Sequence, residues 1–248
     1  MQMPKICIDA GHAGKTNPYV VNGKTIGWES EMAWSLHTKL VRYLTDSGVE
    51  VITTRNTISE DPALLTRGKK AEGCDLFLSL HSNAGVETAD YPLAVCSVNG
   101  SADAIGLKLA KAVETVMKTR QSGKIWKRDY QTGDAVVIDS TQHPNFGKRA
   151  YNTDYYGVIR GANQVGVPGV LLECSFHSNP AMAQWLIVDS NLDKLAKGIA
   201  GAILEHYGLT GNTADNTAFA ELQKKYDELK IAYDSLVSDL QELVERYS

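Results

Sequence analysis

The sequence predicts an α/β fold: a twisted, mostly parallel sheet flanked by helices, followed by a C-terminal coiled-coil-like helix. Three observations predict it. Short apolar runs alternate with segments of helical periodicity from residue 5 to residue 206. A small, polar, turn-prone stretch, LTGNTADNT at 209–217, then breaks the pattern. Beyond it, apolar residues recur at alternating spacings of three and four.

KICID (5–9) is an apolar run that ends in a Gly-rich loop. Residues 31–45 place Met32, Leu36, Leu40, Tyr43 and Leu44 at helical spacing and stop at Asp46-Ser47-Gly48. Residues 49–53 read as a strand, 63–71 as a helix and 75–80 as a buried strand. Residues 93–98 form another strand and 102–118 a helix; 167–173 is an apolar strand opened by Pro168, and 191–206 is the closing helix. Residues 120–154 resist this reading. They mix Gly, Asp, Lys, Tyr and His without a sustained period, and only VVID (136–139) hints at a strand. So long an irregular connection is either a functional lid or an insertion.

In the tail, Phe219, Leu222, Tyr226, Leu229, Tyr233, Leu236, Leu240, Leu243 and Tyr247 form an a/d seam of about four heptads, uninterrupted by Gly or Pro. A lone helix would leave that seam wet, so the sequence predicts a homo-oligomer through residues 218–248. Tyrosines at several core positions are bulky for a tight two-stranded seam, which leaves the copy number open. The organisation is an α/β domain at 1–207, a linker at 208–217 and the heptad helix at 218–248.

The chain of 248 residues is 43% hydrophobic and 22% charged, ordinary for a globular protein with a core. A net charge of −4 argues against nucleic acid or an anionic membrane as a partner, since either wants a basic face. No window approaches the length of a membrane span, so no stable membrane insertion is expected. Four cysteines, at 7, 74, 96 and 174, form no C-x-x-C pair and read as buried free thiols. Met1-Gln2-Met3-Pro4 runs into the first strand without the basic and apolar regions of a signal peptide. Synthesis as a soluble cytoplasmic chain is therefore expected.

Three apolar strands lead into polar residues able to bind metal or move protons: His12 after the first, His81 just past Leu80, and Glu173 at the end of VPGVLLE. In open α/β sheets such residues gather beyond the carboxyl ends of the strands. Two imidazoles and a carboxylate are common ligands of catalytic zinc, Zn2+, with one position left for water. The third ligand is Glu29, near the start of the first helix, or its neighbour Glu31; spacing alone does not separate them. His37 and His206 lie inside helices and read as ordinary, and His177 reads as structural.

The segments DAGHAG, GWESEMAWSL, TRGKKAEGCDLFLSLHSNA and VPGVLLECSFHSNP, in that order, resemble the type-3 family of zinc-dependent N-acetylmuramoyl-L-alanine amidases. The resemblance runs from about residue 5 to residue 206, with SLHSNA and LLECSFHSNP its most specific parts. It implies metal ligands at His12, Glu29 and His81, favouring Glu29 over Glu31, and a catalytic carboxylate at Glu173. It further implies hydrolysis of the amide joining N-acetylmuramic acid to L-alanine in peptidoglycan, by zinc-activated water with Glu173 as general base and acid. The sequence departs from the family at Ala13, where a second glycine is usual, and in the length of residues 124–150, which are expected to border the substrate groove. Another zinc peptidase acting on stem peptides is the rival enzyme, and an inactive wall-binding or assembly module the rival of another class. Lytic activity without a signal peptide suggests a phage or prophage endolysin acting on the cell wall after release.

Overall fold

The computed structural model describes residues 3–130, 133–137 (backbone only) and 153–209, with helical positions 225, 226, 228–230, 232, 233, 235 and 237. The chain divides into two compact units, 1–207 and 208–248.

The first unit runs β1 (Lys5–Ala10), β2 (Pro18–Val21), β3 (Lys24–Trp28), α1 (Glu29–Asp46), β4 (Glu50–Thr53), α2 (Leu64–Lys69), β5 (Leu76–Asn83) and β6 (Leu93–Cys96). It continues with α3 (Asp103–Met117), β7 (Lys124–Asp129), β8 (Gly133–Val137), α4 (Gly157–Gln164), β9 (Gly169–Phe176), α5 (Pro180–Leu186) and α6 (Asp189–His206). Seven strands form one sheet in the order β4-β1-β5-β9-β6-β7-β8. The strands β4, β1, β5 and β9 are mutually parallel, β6 is antiparallel to β9 and parallel to β7, and β8 closes the edge antiparallel to β7. The sheet is thus α/β and mostly parallel, with two antiparallel joints.

The central strands are apolar runs because both of their faces are covered. One face carries Cys7, Phe77, Val95 and Leu171 and packs with Val158, Ile159 and Ala162 of α4. On the opposite face, Gly106 of α3 lies so close to Cys96 and Val170 that a Cβ there would meet the Cys96 sulfur at 2.2 Å. Helix α6 packs between α1 and α3. All four cysteines are buried free thiols.

Several expectations change. Strands β5 and β9 run past Leu80 and Glu173, so His81 and Glu173 lie inside strands rather than at their ends. The stretch read as irregular contains the paired strands β7 and β8, because KIWKRD alternates buried and half-buried positions. Residues 138–152, which include much of the expected lid, lie outside the described residues. Helix α1 begins at Glu29, two residues before the expected start at residue 31. Unforeseen elements are the β2–β3 hairpin, α4 and α5. The hairpin turns on Asn22 and Gly23 with φ of 51° and 73°, a left-handed pair suited to a two-residue turn. Helix α5 starts on Asn179, whose side chain accepts from the Ala181 and Met182 amides, with Pro180 in its first turn.

In the second unit the described residues from 225 to 237 are helical, and Tyr226, Leu229 and Tyr233 are exposed. Linker residues 210–217 and most of the heptad seam lie outside the described residues. Among the described residues no helix is long and apolar enough to cross a membrane.

Candidate metal centre and adjoining carboxylate

The centre begins beneath the loop that follows β1. Asp9 is fully buried and accepts from Ser79 Oγ at 2.7 Å and from Thr54 Oγ1. Two arginines, each about 1% exposed, reach the same place. Arg67 donates to the Ala10 carbonyl at 3.1 Å and the His12 carbonyl at 3.4 Å, and its Nη1 lies 3.5 Å from Asp9. Arg55 donates to the carbonyls of Ala10 at 3.2 Å and Gly11 at 3.3 Å. Three consecutive carbonyls are therefore held by two guanidinium groups. The restraint has an evident purpose: His12 has φ of 55°, a left-handed conformation that costs a non-glycine residue about 1 kcal/mol.

Gly11 supplies the close approach. A Cβ at that position would lie 2.4–2.6 Å from atoms of the His81 ring, so only glycine lets the imidazole sit against the backbone. The His12 and His81 rings meet edge to face, 4.8 Å between centroids.

Glu29, 2% exposed, enters from the first turn of α1, where its amide donates to the Asn17 carbonyl at 2.9 Å. Its Oε1 lies 2.9 Å from His81 Nδ1 and 3.2 Å from His12 Nε2, and also accepts from the Ser82 amide at 3.1 Å. Asn17 Nδ2 donates to the other oxygen, Oε2, at 2.6 Å. Burial pushes the Glu29 carboxyl up, but hydrogen bonds and charge from His12 and His81 outweigh it and hold the group well below the ordinary carboxylate range. Burial would likewise lower the His81 pKa, and the Glu29 carboxylate raises it instead.

The donor set suits a cation. One atom from each of His12, Glu29 and His81 lies within 4.8 Å of the others. Tetrahedral zinc with bonds of about 2.0–2.1 Å sets its ligand atoms roughly 3.3 Å apart. The two nitrogen–Glu29 separations, 2.9 and 3.2 Å, are close to that edge. Glu31 stays outside the cluster: it is exposed and lines a crevice with Gly27, Leu186 and Asp189.

Glu173 stands beside this cluster as the β9 partner of His81 in the β5–β9 pairing. Its Oε2 is buried and has no hydrogen-bond partner among the described residues. Burial raises its pKa to about 7, with His81 pulling the other way and Glu29 adding to the rise. A carboxyl poised near neutrality can accept and return a proton.

His177 belongs to a buried chain of contacts with Tyr19 and Ser82. It stacks on Tyr19 at 4.9 Å, and its Nδ1 lies 2.9 Å from Ser82 Oγ, which in turn lies 2.7 Å from the Tyr19 hydroxyl. That buried chain steadies Ser82, whose amide holds Glu29. Asn17, Arg55, Arg67 and Ser82 were not foreseen as parts of the centre. A positive charge directly after the apolar VITT run was the one signal for Arg55, since a buried arginine must find acceptors.

Residues 6–205 match the family described as N-acetylmuramoyl-L-alanine amidase. The fold is similar to that of Cwp6 from Clostridium difficile, with a TM-score of 0.66 and 21% identity over 82% of this chain and 29% of that one. It is also similar to the catalytic domain of CwlV, an N-acetylmuramoyl-L-alanine amidase from Bacillus (Paenibacillus) polymyxa var. colistinus, with a TM-score of 0.61 and 21% identity over 84% of this chain and 100% of that one. The N-acetylmuramoyl-L-alanine amidase from C. difficile 630 gives 0.63 and 20% identity over 84% and 99%. This chain therefore spans less than a third of Cwp6 but nearly all of the other two. No curated protein matches it. With the family match covering almost all of the first unit, the chain belongs to the N-acetylmuramoyl-L-alanine amidase family.

Proposed function

We propose that the chain hydrolyses the amide between the lactyl group of N-acetylmuramic acid and L-alanine in peptidoglycan, with zinc held by His12, Glu29 and His81. The observation that carries the reading is the convergence of these three side chains beside Glu173, whose buried Oε2 has no hydrogen-bond partner among the described residues. Zinc, when bound, supplies the positive charge that polarises a scissile carbonyl and acidifies water. The chain's own residues do the rest. Asn17 and the Ser82 amide fix both oxygens of Glu29, so the ligand does not swing. Glu173 takes a proton from the attacking water and delivers it to the departing amine of L-alanine, a transfer that its near-neutral pKa favours in both directions.

We further propose that the heptad helix presents the domain in several copies on the insoluble wall, raising avidity without a separate binding module. Its support is the sequence seam and the exposure of Tyr226, Leu229 and Tyr233.

The test of the reaction is turnover of a soluble muramyl-peptide by the chain as isolated, after chelation and after return of zinc. Activity lost and then restored supports the metal hydrolase; activity unaffected by complete metal removal contradicts it.

A further inference from the structure

The row of residues at the level of Glu173 continues beyond the metal centre. His81 pairs with Glu173, Glu173 with Leu93, and Leu93 with Lys124, across β5, β9, β6 and β7. Residues paired across strands share a face of the sheet. Lys124 is therefore two strands from Glu173 on the same face, an α-carbon separation of about 10 Å at ~4.8 Å per strand. Leu93, between them, is apolar and buried.

Lys124 is half-buried, and its Nζ sits 4.0 Å from the centroid of the Tyr91 ring. Tyr91 is steadied in turn by an edge contact to Phe176, 4.7 Å between centroids, three residues past Glu173 on β9. A cation on an aromatic face is positioned without being neutralised. Lys124 pairs with no carboxylate among the described residues, whereas nearby Arg120 is paired with Asp90 at 3.3 Å. The result is a positive charge held two strands from Glu173 on the same face of the sheet, on the side away from His12 and Glu29.

The two halves of the substrate differ in charge. The glycan half is neutral at its acetamido and hydroxyl groups. The peptide half carries an α-carboxylate on its second residue, a glutamate joined through its side chain, and that group is free or amidated depending on the wall. Two extended residues reach about 7 Å from the scissile carbonyl, and a lysine side chain covers the remaining distance.

We propose that Lys124 is a specificity-determining residue that binds the α-carboxylate of the second stem-peptide residue, directing the peptide half across β6 toward β7. The proposal rests on the amidase reading above. Its test uses two soluble muramyl-peptides identical except for carboxylate or carboxamide at that position. Their kcat/KM values are measured for the unaltered chain, Lys124→Gln and Lys124→Arg. The unaltered chain should prefer the carboxylate substrate by about tenfold or more, as a charge-assisted contact implies. Lys124→Gln should abolish the preference by losing rate on the carboxylate substrate alone, mainly through KM, while Lys124→Arg keeps it. An unaltered chain without preference, or a Lys124→Gln variant that slows both substrates equally, overturns the assignment. If the unaltered chain cuts neither substrate at the lactyl–alanine bond, the amidase reading itself fails, and that outcome is distinct from the other two.

Discussion

His81 and Glu173 are register partners on adjacent parallel strands, one strand spacing apart. The pairing sets a member of the candidate metal cluster beside a carboxyl whose pKa burial raises to about 7, on two strands that are mostly buried. Their α-carbons cannot separate without breaking the backbone ladder that carries both. The division of labour between them makes the first prediction.

Glu173→Gln keeps the shape and removes the proton acceptor. Hydrolysis should fall at least about a hundredfold, within the ~10²–10⁴ worth of a general acid–base group, while zinc stoichiometry by atomic emission stays unchanged. Retention of more than about a tenth of the rate would remove Glu173 from the reaction.

Gly11→Ala places a methyl where the His81 ring now lies, 2.4–2.6 Å from its atoms. The ring has to turn away from Glu29. Zinc affinity measured by competition with a chromophoric chelator should drop at least tenfold, the lower end of what disturbed ligand orientation costs. Wild-type affinity in this variant would show that the close approach is irrelevant to binding.

Arg67→Met removes donors from the Ala10 and His12 carbonyls and leaves Asp9 without its guanidinium neighbour. Breaking a buried charged network of this kind costs about 3–5 kcal/mol, read as a lowered denaturation midpoint, and zinc affinity should fall as well because His12 loses its support. A variant as stable as the parent would contradict the clamp.

His37 gives a pH dependence. Burial lowers its pKa from 6.5 to about 4, with Asp9 opposing and Arg55 assisting. Between those values the unfolded chain binds a proton that the folded chain refuses, so stability falls as pH falls and is complete above about 6.5. At 1.36 kcal/mol per unit the loss by pH 4 is about 3 kcal/mol. His37→Leu, which keeps an apolar body against Trp34, should flatten this acid limb in urea titrations at several pH values. An unchanged slope would place the titration elsewhere.

Removal of residues 218–248 should leave turnover of a small soluble muramyl-peptide unaltered, yet reduce both the mass in solution and the fraction bound to sedimented walls. Equal mass and equal wall binding would sink the avidity proposal.

Much of the fold was legible because it depends on runs long enough to show a period. VLLECSF and LFLSL announce buried strands, and Met32, Leu36 and Leu40 announce α1. His12, His81 and Glu173 were legible from their place beside such runs. The hairpin was written in Val21-Asn22-Gly23-Lys24, but its strands are four and five residues long and half exposed, so no alternation stood out. Strand β7 was hidden because Lys127 occupies a buried position, reconciled by an ion pair to Asp103 at 2.6 Å that no local pattern could reveal. Glu29 and Glu31 were inseparable for a similar reason: the choice is made by Asn17, Ser82 and two histidines drawn from other elements.

Cleavage at the lactyl–alanine amide is tested most directly by identifying the new amino terminus released when purified peptidoglycan is digested, by amine labelling and mass analysis. L-alanine should be the sole new terminus, paired with intact N-acetylmuramic acid, with no release in the Glu173→Gln variant. New termini from residues deeper in the stem peptide, or equal release by that variant, would contradict it.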